Sequence, residues 1–166
     1  MSLIVVKTVA STRLFPCRAF YDTIGDTLSV GIKQKGKFKS SIDGEFCSFD
    51  LTRDGKLLNI DIWKARKAWK IEKAIHPPEE FTTANVIFDS TADAELETID
   101  LLTNSERTIL NVKFSRERVA KFVSPATSLI FELNEKDELV GFWLTEIVDD
   151  LNFQKEGDWR RAVKAI

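Results

Sequence analysis

Histidine and methionine occur once each in the 166 residues, and cysteine twice. A zinc site takes four ligands, so two cysteines and one histidine could not make one without carboxylates. A catalytic triad built on the lone His76 would need partners that its setting, His76-Pro77-Pro78, does not supply, and His76 is read as a solvated linker residue. Two cysteines also exclude a disulfide framework for a chain of this size. Cys47 alternates in phase with Phe49 and Leu51, and both Cys17 and Cys47 are read as buried thiols. Long apolar runs are missing too: Leu3 to Val6 is among the longest. That leaves no stretch for a membrane-spanning helix or signal core, so no membrane partner and a cytoplasmic location are expected.

Cofactor signatures are equally scarce. Gly31 to Phe38, GIKQKGKF, has the glycine and lysine spacing of a phosphate loop. Phe38, however, stands where such a loop needs a hydroxyl for magnesium, and no helix pattern follows it. The stretch reads as a lysine-rich turn around Gly36, and no cofactor is expected.

What is present is a soluble globular composition: 43% hydrophobic and 30% charged residues, with twelve Phe and four Trp to fill a core. Net charge is −2, unevenly spread: residues 1–82 carry +4 and residues 83–166 carry −6. Opposite signs favour docking of the halves on each other or on a second copy of the chain. The acidic second half argues against nucleic acid as a partner.

The strongest signal is a repeat. Phe46 to Trp63, FCSFDLTRDGKLLNIDIW, reads as two strands around Asp54-Gly55. Shifted by 82 positions without a gap, its apolar pattern returns at Ser128 to Thr145. Cys47, Phe49 and Leu51 match Leu129, Phe131 and Leu133; Leu58, Ile60 and Ile62 match Val140, Phe142 and Leu144. Upstream, Leu28, Val30 and Ile32 match Leu110, Val112 and Phe114, and Ile4 to Val6 match Val86 to Phe88. The period-two alternation within these runs is that of half-buried strands. The expected fold is therefore mainly β: about ten strands in two pseudo-symmetric repeats, roughly 3–82 and 85–164. The repeats share one core in a single domain, sandwich or barrel-like, because half a chain of this length buries little alone. Residues 64–75 fit either a basic helix or an extended arm. EGDWRRAVKAI predicts a short C-terminal helix, with Asp158 as its N-cap.

Tyr21 to Val30, YDTIGDTLSV, fits the pattern Tyr-Asp-x3-Asp-x-Leu-x-Val, and Phe49 to Ala65 adds an aspartate-bearing strand, a glycine turn and an Ile-x-Ile strand. Together these resemble an uncharacterised family of short, β-rich bacterial proteins classed as a domain of unknown function. In the second half the match is degenerate: Asn104 stands for Asp22, Thr108 for Asp26 and Asp137 for Gly55. The resemblance implies a fold type and a prokaryotic origin, and carries no catalytic residues.

Asp22, Asp26, Asp50 and Asp61 are the acidic residues placed most regularly against the strands, and form the candidate set for a metal or an acid–base pair. Turn and cap roles explain Asp22 and Asp26 more simply. Trp63 and Trp69, interleaved with lysines in WKARKAWK, are candidates for a protein contact. The functional expectation is a non-enzymatic structural or protein-interaction module, associating with itself or another protein. The alternative is a small-ligand or metal-binding protein, enzymatic in one version, with a site between the repeats.

Overall fold

The computed structural model describes residues 3–89, 94 and 96–163. In chain order its strands are β1 (Val6–Ala10), β2 (Cys17–Asp22), β3 (Thr27–Ile32), β4 (Phe38–Asp43), β5 (Cys47–Thr52), β6 (Leu57–Ile62) and β7 (Lys70–Ile71). There follow β8 (Thr82–Phe88), β9 (Asp100–Thr103), β10 (Leu110–Lys113), β11 (Lys121–Ala126), β12 (Leu129–Leu133), β13 (Leu139–Leu144) and β14 (Val148–Asp150). A 3-10 turn spans Arg66–Ala68, and helix α1 runs from Gln154 to Ala162.

The strands form two sheets, in the orders β14-β2-β3-β6-β5-β4 and β1-β8-β11-β12-β13-β10-β9-β7. Within them the units β2-β3-β6-β5-β4 and β9-β10-β13-β12-β11 have the same order and are related by the 82-residue shift. The fold is thus mainly β with two pseudo-symmetric repeats and a short C-terminal helix. Their inner faces meet in one core. Phe49 of β5 lies 5.3 Å from Phe88 of β8 and 5.8 Å from Phe142 of β13, ring centre to ring centre, and Phe88 lies 5.8 Å from Phe131. Each fully buried phenylalanine stabilises the fold by about 2–3 kcal/mol, so these rings hold the two sheets together.

Among the described residues there are fourteen strands where about ten were expected. Two of the additional four, β4 and β11, lie outermost in their repeat units, and β4 carries too few apolar residues to show an alternation. The basic turn expected through Lys39 gives way to strand already at Phe38. The other two, β7 and β14, are arms of two and three residues. Residues 64–75 are neither a helix nor a continuous arm: the 3-10 turn comes first and β7 follows. A second correction concerns phase. Both repeats have a register shift at equivalent places, Asp50/Leu51 and Glu132/Leu133. In the first repeat it turns Leu57 into the core and leaves Leu58, the expected core residue, only half-buried. A bulge of this kind inserts one residue and flips the alternation beyond it.

The turns after the bulges keep one geometry with different chemistry. Gly55 has φ 81° and Asp137 has φ 58°. At Gly55 a side chain is excluded, since a Cβ would run into the Phe88 carbonyl oxygen. Phe88 N–H donates to that glycine's carbonyl, as Val6 N–H donates to the Asp137 carbonyl.

The repeats are intertwined. β1 and β8 pair antiparallel with Val6 opposite Phe88, its own equivalent, so the pseudo-two-fold axis passes there. β7, which follows the first repeat, pairs in parallel with β9 of the second; β14, which follows the second, pairs in parallel with β2 of the first. Each repeat thereby completes the other's sheet. Seven residues separate Ile62 from Lys70 and three separate Leu144 from Val148, so the gapless register ends at the arms. Arg66 clamps the exchange: its guanidinium pairs with the Asp149 carboxylate and lies 4.6 Å over the Tyr21 ring.

α1 starts at Gln154, upstream of the predicted cap. Asp158 sits inside the helix, paired with Arg161 at 2.5 Å. The capping carboxylate is Asp150, which accepts from Lys155 N–H at 2.8 Å and Glu156 N–H at 3.0 Å across a turn of left-handed residues, Asn152 and Phe153.

Candidate functional site

An antiparallel sheet that packs one face on a core leaves the other to polar residues. On the first sheet that outer face carries two cross-strand rows. Ser29, Asp61, Ser48 and Asp43 lie opposite one another across β3, β6, β5 and β4; Gly31, Asn59, Asp50 and Ser41 form the adjacent row. Three carboxylates thus lie on the half of the face away from β2.

Helix α1 covers the near half. Glu156, buried, accepts from Ser29 Oγ at 2.7 Å and from Arg160 Nε at 3.0 Å, and Arg160 Nη2 reaches Asn59 Oδ1 at 2.9 Å. Gly31 makes this docking possible: a Cβ there would lie 2.8 Å from the Arg160 guanidinium and 2.9 Å from the Trp159 ring. Lys33 Nζ donates to the Arg160 carbonyl at 2.6 Å, satisfying the free end of the helix.

The far half is open. Asp43 is exposed, Asp50 and Asp61 are half-buried. Burial raises the Asp50 carboxyl above its ordinary range, and the charges of Asp61 and Asp43 push it the same way. Burial also raises Asp61; Asn59 and Arg160 pull it back, and Glu156 adds to the rise. Asp50 and Asp61 therefore share one face, as the spacing along the strands allows. Asp22 and Asp26 are elsewhere, at the β2–β3 turn. Asp22 is buried and accepts backbone N–H bonds from Ile24, Gly25 and Asn152, at 3.2, 3.1 and 2.8 Å. Asp26, with φ 54°, accepts from the Tyr21 hydroxyl at 2.8 Å. Among the described residues no three of His, Cys, Asp or Glu are grouped to hold a metal ion.

Of the two tryptophan candidates, Trp69 is 3% exposed, stacked edge-on against Tyr21, with its indole N–H on the Lys64 carbonyl. It belongs to the core and leaves no surface for a partner. Trp63 is 43% exposed and donates to the Glu45 carbonyl at 2.9 Å, beside the β4–β5 turn. His76 is exposed. Cys17 and Cys47 are free and buried, and burial pushes the Cys17 thiol up to about 12, out of reach of thiolate chemistry.

The equivalent face of the second sheet is closed upon itself. Glu132, the counterpart of Asp50, pairs with Lys113 Nζ at 2.6 Å and accepts from Trp143 Nε1 at 3.1 Å. Lys113 replaces Gly31, Trp143 replaces Asp61, and Gly141 replaces Asn59, leaving room for the Glu132 carboxylate. The outer edges differ as well. β11 has a neighbour on each side, β12 and the start of β8, with Val123 opposite Thr82. Among the described residues β4 pairs with β5 alone, and Leu96 bridges Gly44 just beyond it.

The sequence reading did not single out Ser41, Asp43, Glu156 or Arg160. Asp43 and Ser41 lie on a strand without an apolar face, and the two helical residues reach the sheet only through the exchange of arms. No helix of the described residues is long and apolar enough to cross a membrane. Neither a protein-family model nor a curated protein matches this chain.

Proposed function

We propose that this chain is a non-enzymatic protein-interaction module whose docking surface is the open edge of its first repeat, strand β4. The observation that carries this reading is a difference between two equivalent edges among the described residues: β11 is covered by β8, whereas β4 pairs with β5 alone. An uncovered strand presents a row of N–H and C=O groups that recruits another extended chain. The likeness of Tyr21–Val30 and Phe49–Ala65 to the family of short β-rich bacterial proteins accords with a scaffold role and adds no residue roles.

The reading is tested by titrating the protein with a set of short extended peptides while following the backbone amide resonances of Ser41 and Asp43. Shifts confined to β4 and its neighbours support it. A peptide set that leaves these amides unmoved, with a cation or metabolite raising Tm by several degrees, would overturn it.

One observation favours a second reading, small-ligand binding. A cleft of about 240 Å3 between the repeats is lined by Phe46, Lys64 and Lys70 from one side and Thr98, Asp100 and Leu101 from the other. Lys64 Nζ lies 4.2 Å over the Phe46 ring there, and Lys70 and Asp100 bring charges of both signs to a small polar ligand. The metabolite arm of the same experiment addresses it.

A further inference from the structure

We infer that β4 pairs with β4 of a second copy of this chain, antiparallel and centred on Ser41, to join two first-repeat sheets into one. The inference rests on the docking role proposed for β4 and adds the partner and the register.

Backbone geometry sets which groups are free. Gly44 N–H donates to the Cys47 carbonyl at 2.8 Å, which makes Gly44 and Cys47 a hydrogen-bonded pair of the β4–β5 ladder. Such pairs alternate, so Ile42 and Phe49 form the next one, and Ser41 and Asp43 turn their N–H and C=O groups to the other edge. Two features bound that edge. At one end Leu96 bridges Gly44 in parallel, filling the position a partner strand would take. At the other the register shifts between Phe38 and Ser40. Among the described residues nothing else pairs with this edge from Lys39 to Asp43, and the midpoint of that stretch is Ser41.

Charge selects the same register independently. A two-fold axis at Ser41 sets Lys39 of each copy opposite Asp43 of the other and Ser40 opposite Ile42. The segment is a charge palindrome, with its cation two residues before the centre and its anion two residues after. Lysine on an edge strand ordinarily repels a neighbour. Here the two-fold gives each lysine a carboxylate, an isologous contact in which the same pair is made twice. Lys39 would also come onto the face where Asp43, Asp50 and Asp61 stand, and so supply the cation that Lys113 gives Glu132 in the other repeat. The polar outer row, unaccounted for by the fold, then has a role.

Five residues a side make a small contact, below about 1,200 Å2, which belongs to transient pairs. Sedimentation over about 10–500 µM protein should therefore show a monomer–dimer equilibrium. Ser41→Pro removes an N–H that takes no part in the β4–β5 ladder and should leave a folded monomer at every concentration. Lys39→Asp or Asp43→Lys alone should weaken the dimer at least about tenfold, and the double variant K39D/D43K should restore it. Register is read with Ser41→Cys. Directly opposed residues of a hydrogen-bonded pair have Cα atoms about 5.5 Å apart, within disulfide range, so mild oxidation should cross-link the dimer through position 41. Wild-type protein that stays monomeric across the range overturns the inference, as does a double variant no better than the singles. A monomer whose Ser41 and Asp43 amides still respond to peptides refutes the second copy as partner and keeps β4 as a docking edge; a monomer indifferent to peptides refutes both.

Discussion

At the scale of single residues, the two repeats share packing positions and differ in charge. Asp50 and Glu132 occupy the same place on equivalent strands, yet only Glu132 has a lysine at 2.6 Å. Asp50 instead faces Asp61 and Asp43, and with burial their charges raise its carboxyl above the ordinary range. A carboxyl raised on folding contributes stability below its unfolded pKa, near 3.9, and that contribution is lost as pH rises through the folded value. Asp50→Asn should therefore raise Tm at pH 7 by about 1–2 °C, and thermal melts at pH 3 should show no difference from wild type. A variant less stable at pH 7 would mean that Asp50 has a stabilising partner.

At the scale of elements, α1 is a short polar helix held by specific contacts more than by an apolar face. Its one buried residue is Glu156. Burial works against the charge of Asp150, but N–H groups of Lys155, Glu156 and Leu151 outweigh it and hold the carboxyl below its ordinary range. A carboxyl lowered on folding stabilises above its unfolded pKa, and the effect is lost as pH falls through the folded value. Asp150→Ala should cost about 1–2 kcal/mol at pH 7, about 2–8 °C in Tm, with the loss shrinking below about pH 4. Release of α1 would also expose Trp159, so its fluorescence should report the change. How far these elements were legible depends on their apolar content. Core strands such as β5 and β12 announced themselves because Phe49 and Phe131 recur in phase within runs of alternating character. β4 did not, because FKSSID offers only one inward apolar side chain, Ile42, beyond an exposed Phe38. The four aspartates were read as one set; the structure brings only Asp50 and Asp61 to one face, and the groups beside them, Glu156 and Arg160, arrive from a helix about 100 residues away in sequence. Trp69 was a candidate for a protein contact because lysines surround it in sequence, and it is the inward anchor of the 3-10 turn.

At the scale of the whole molecule, the exchange of β7 and β14 and the pairing of β1 with β8 make each repeat incomplete alone. The repeat was plain in the sequence, but the exchange was not, because arms of two or three residues have no periodicity to read. Separating the chain after His76 tests the consequence. Each fragment should be largely unfolded by circular dichroism, and mixing the two at equal concentration should restore a cooperative melt. Independent melting of either fragment would mean that the repeats are autonomous and the exchange ornamental.

The same exchange bears on how the chain is made. As it leaves the ribosome, β1 has no partner until β8 follows, and β7 waits for β9. β2 keeps an open edge until β14 appears close to the end. At about 5–20 residues per second, the interval between the completion of β7 and that of β14 is about 4–16 s. For that time the nascent chain carries unpaired strands over a half-built core, which is when an identical neighbour on the same message could supply them. Translation speed and polysome crowding, more than the stability of the finished fold, would then decide how much of this protein ends with its arms on the wrong copy.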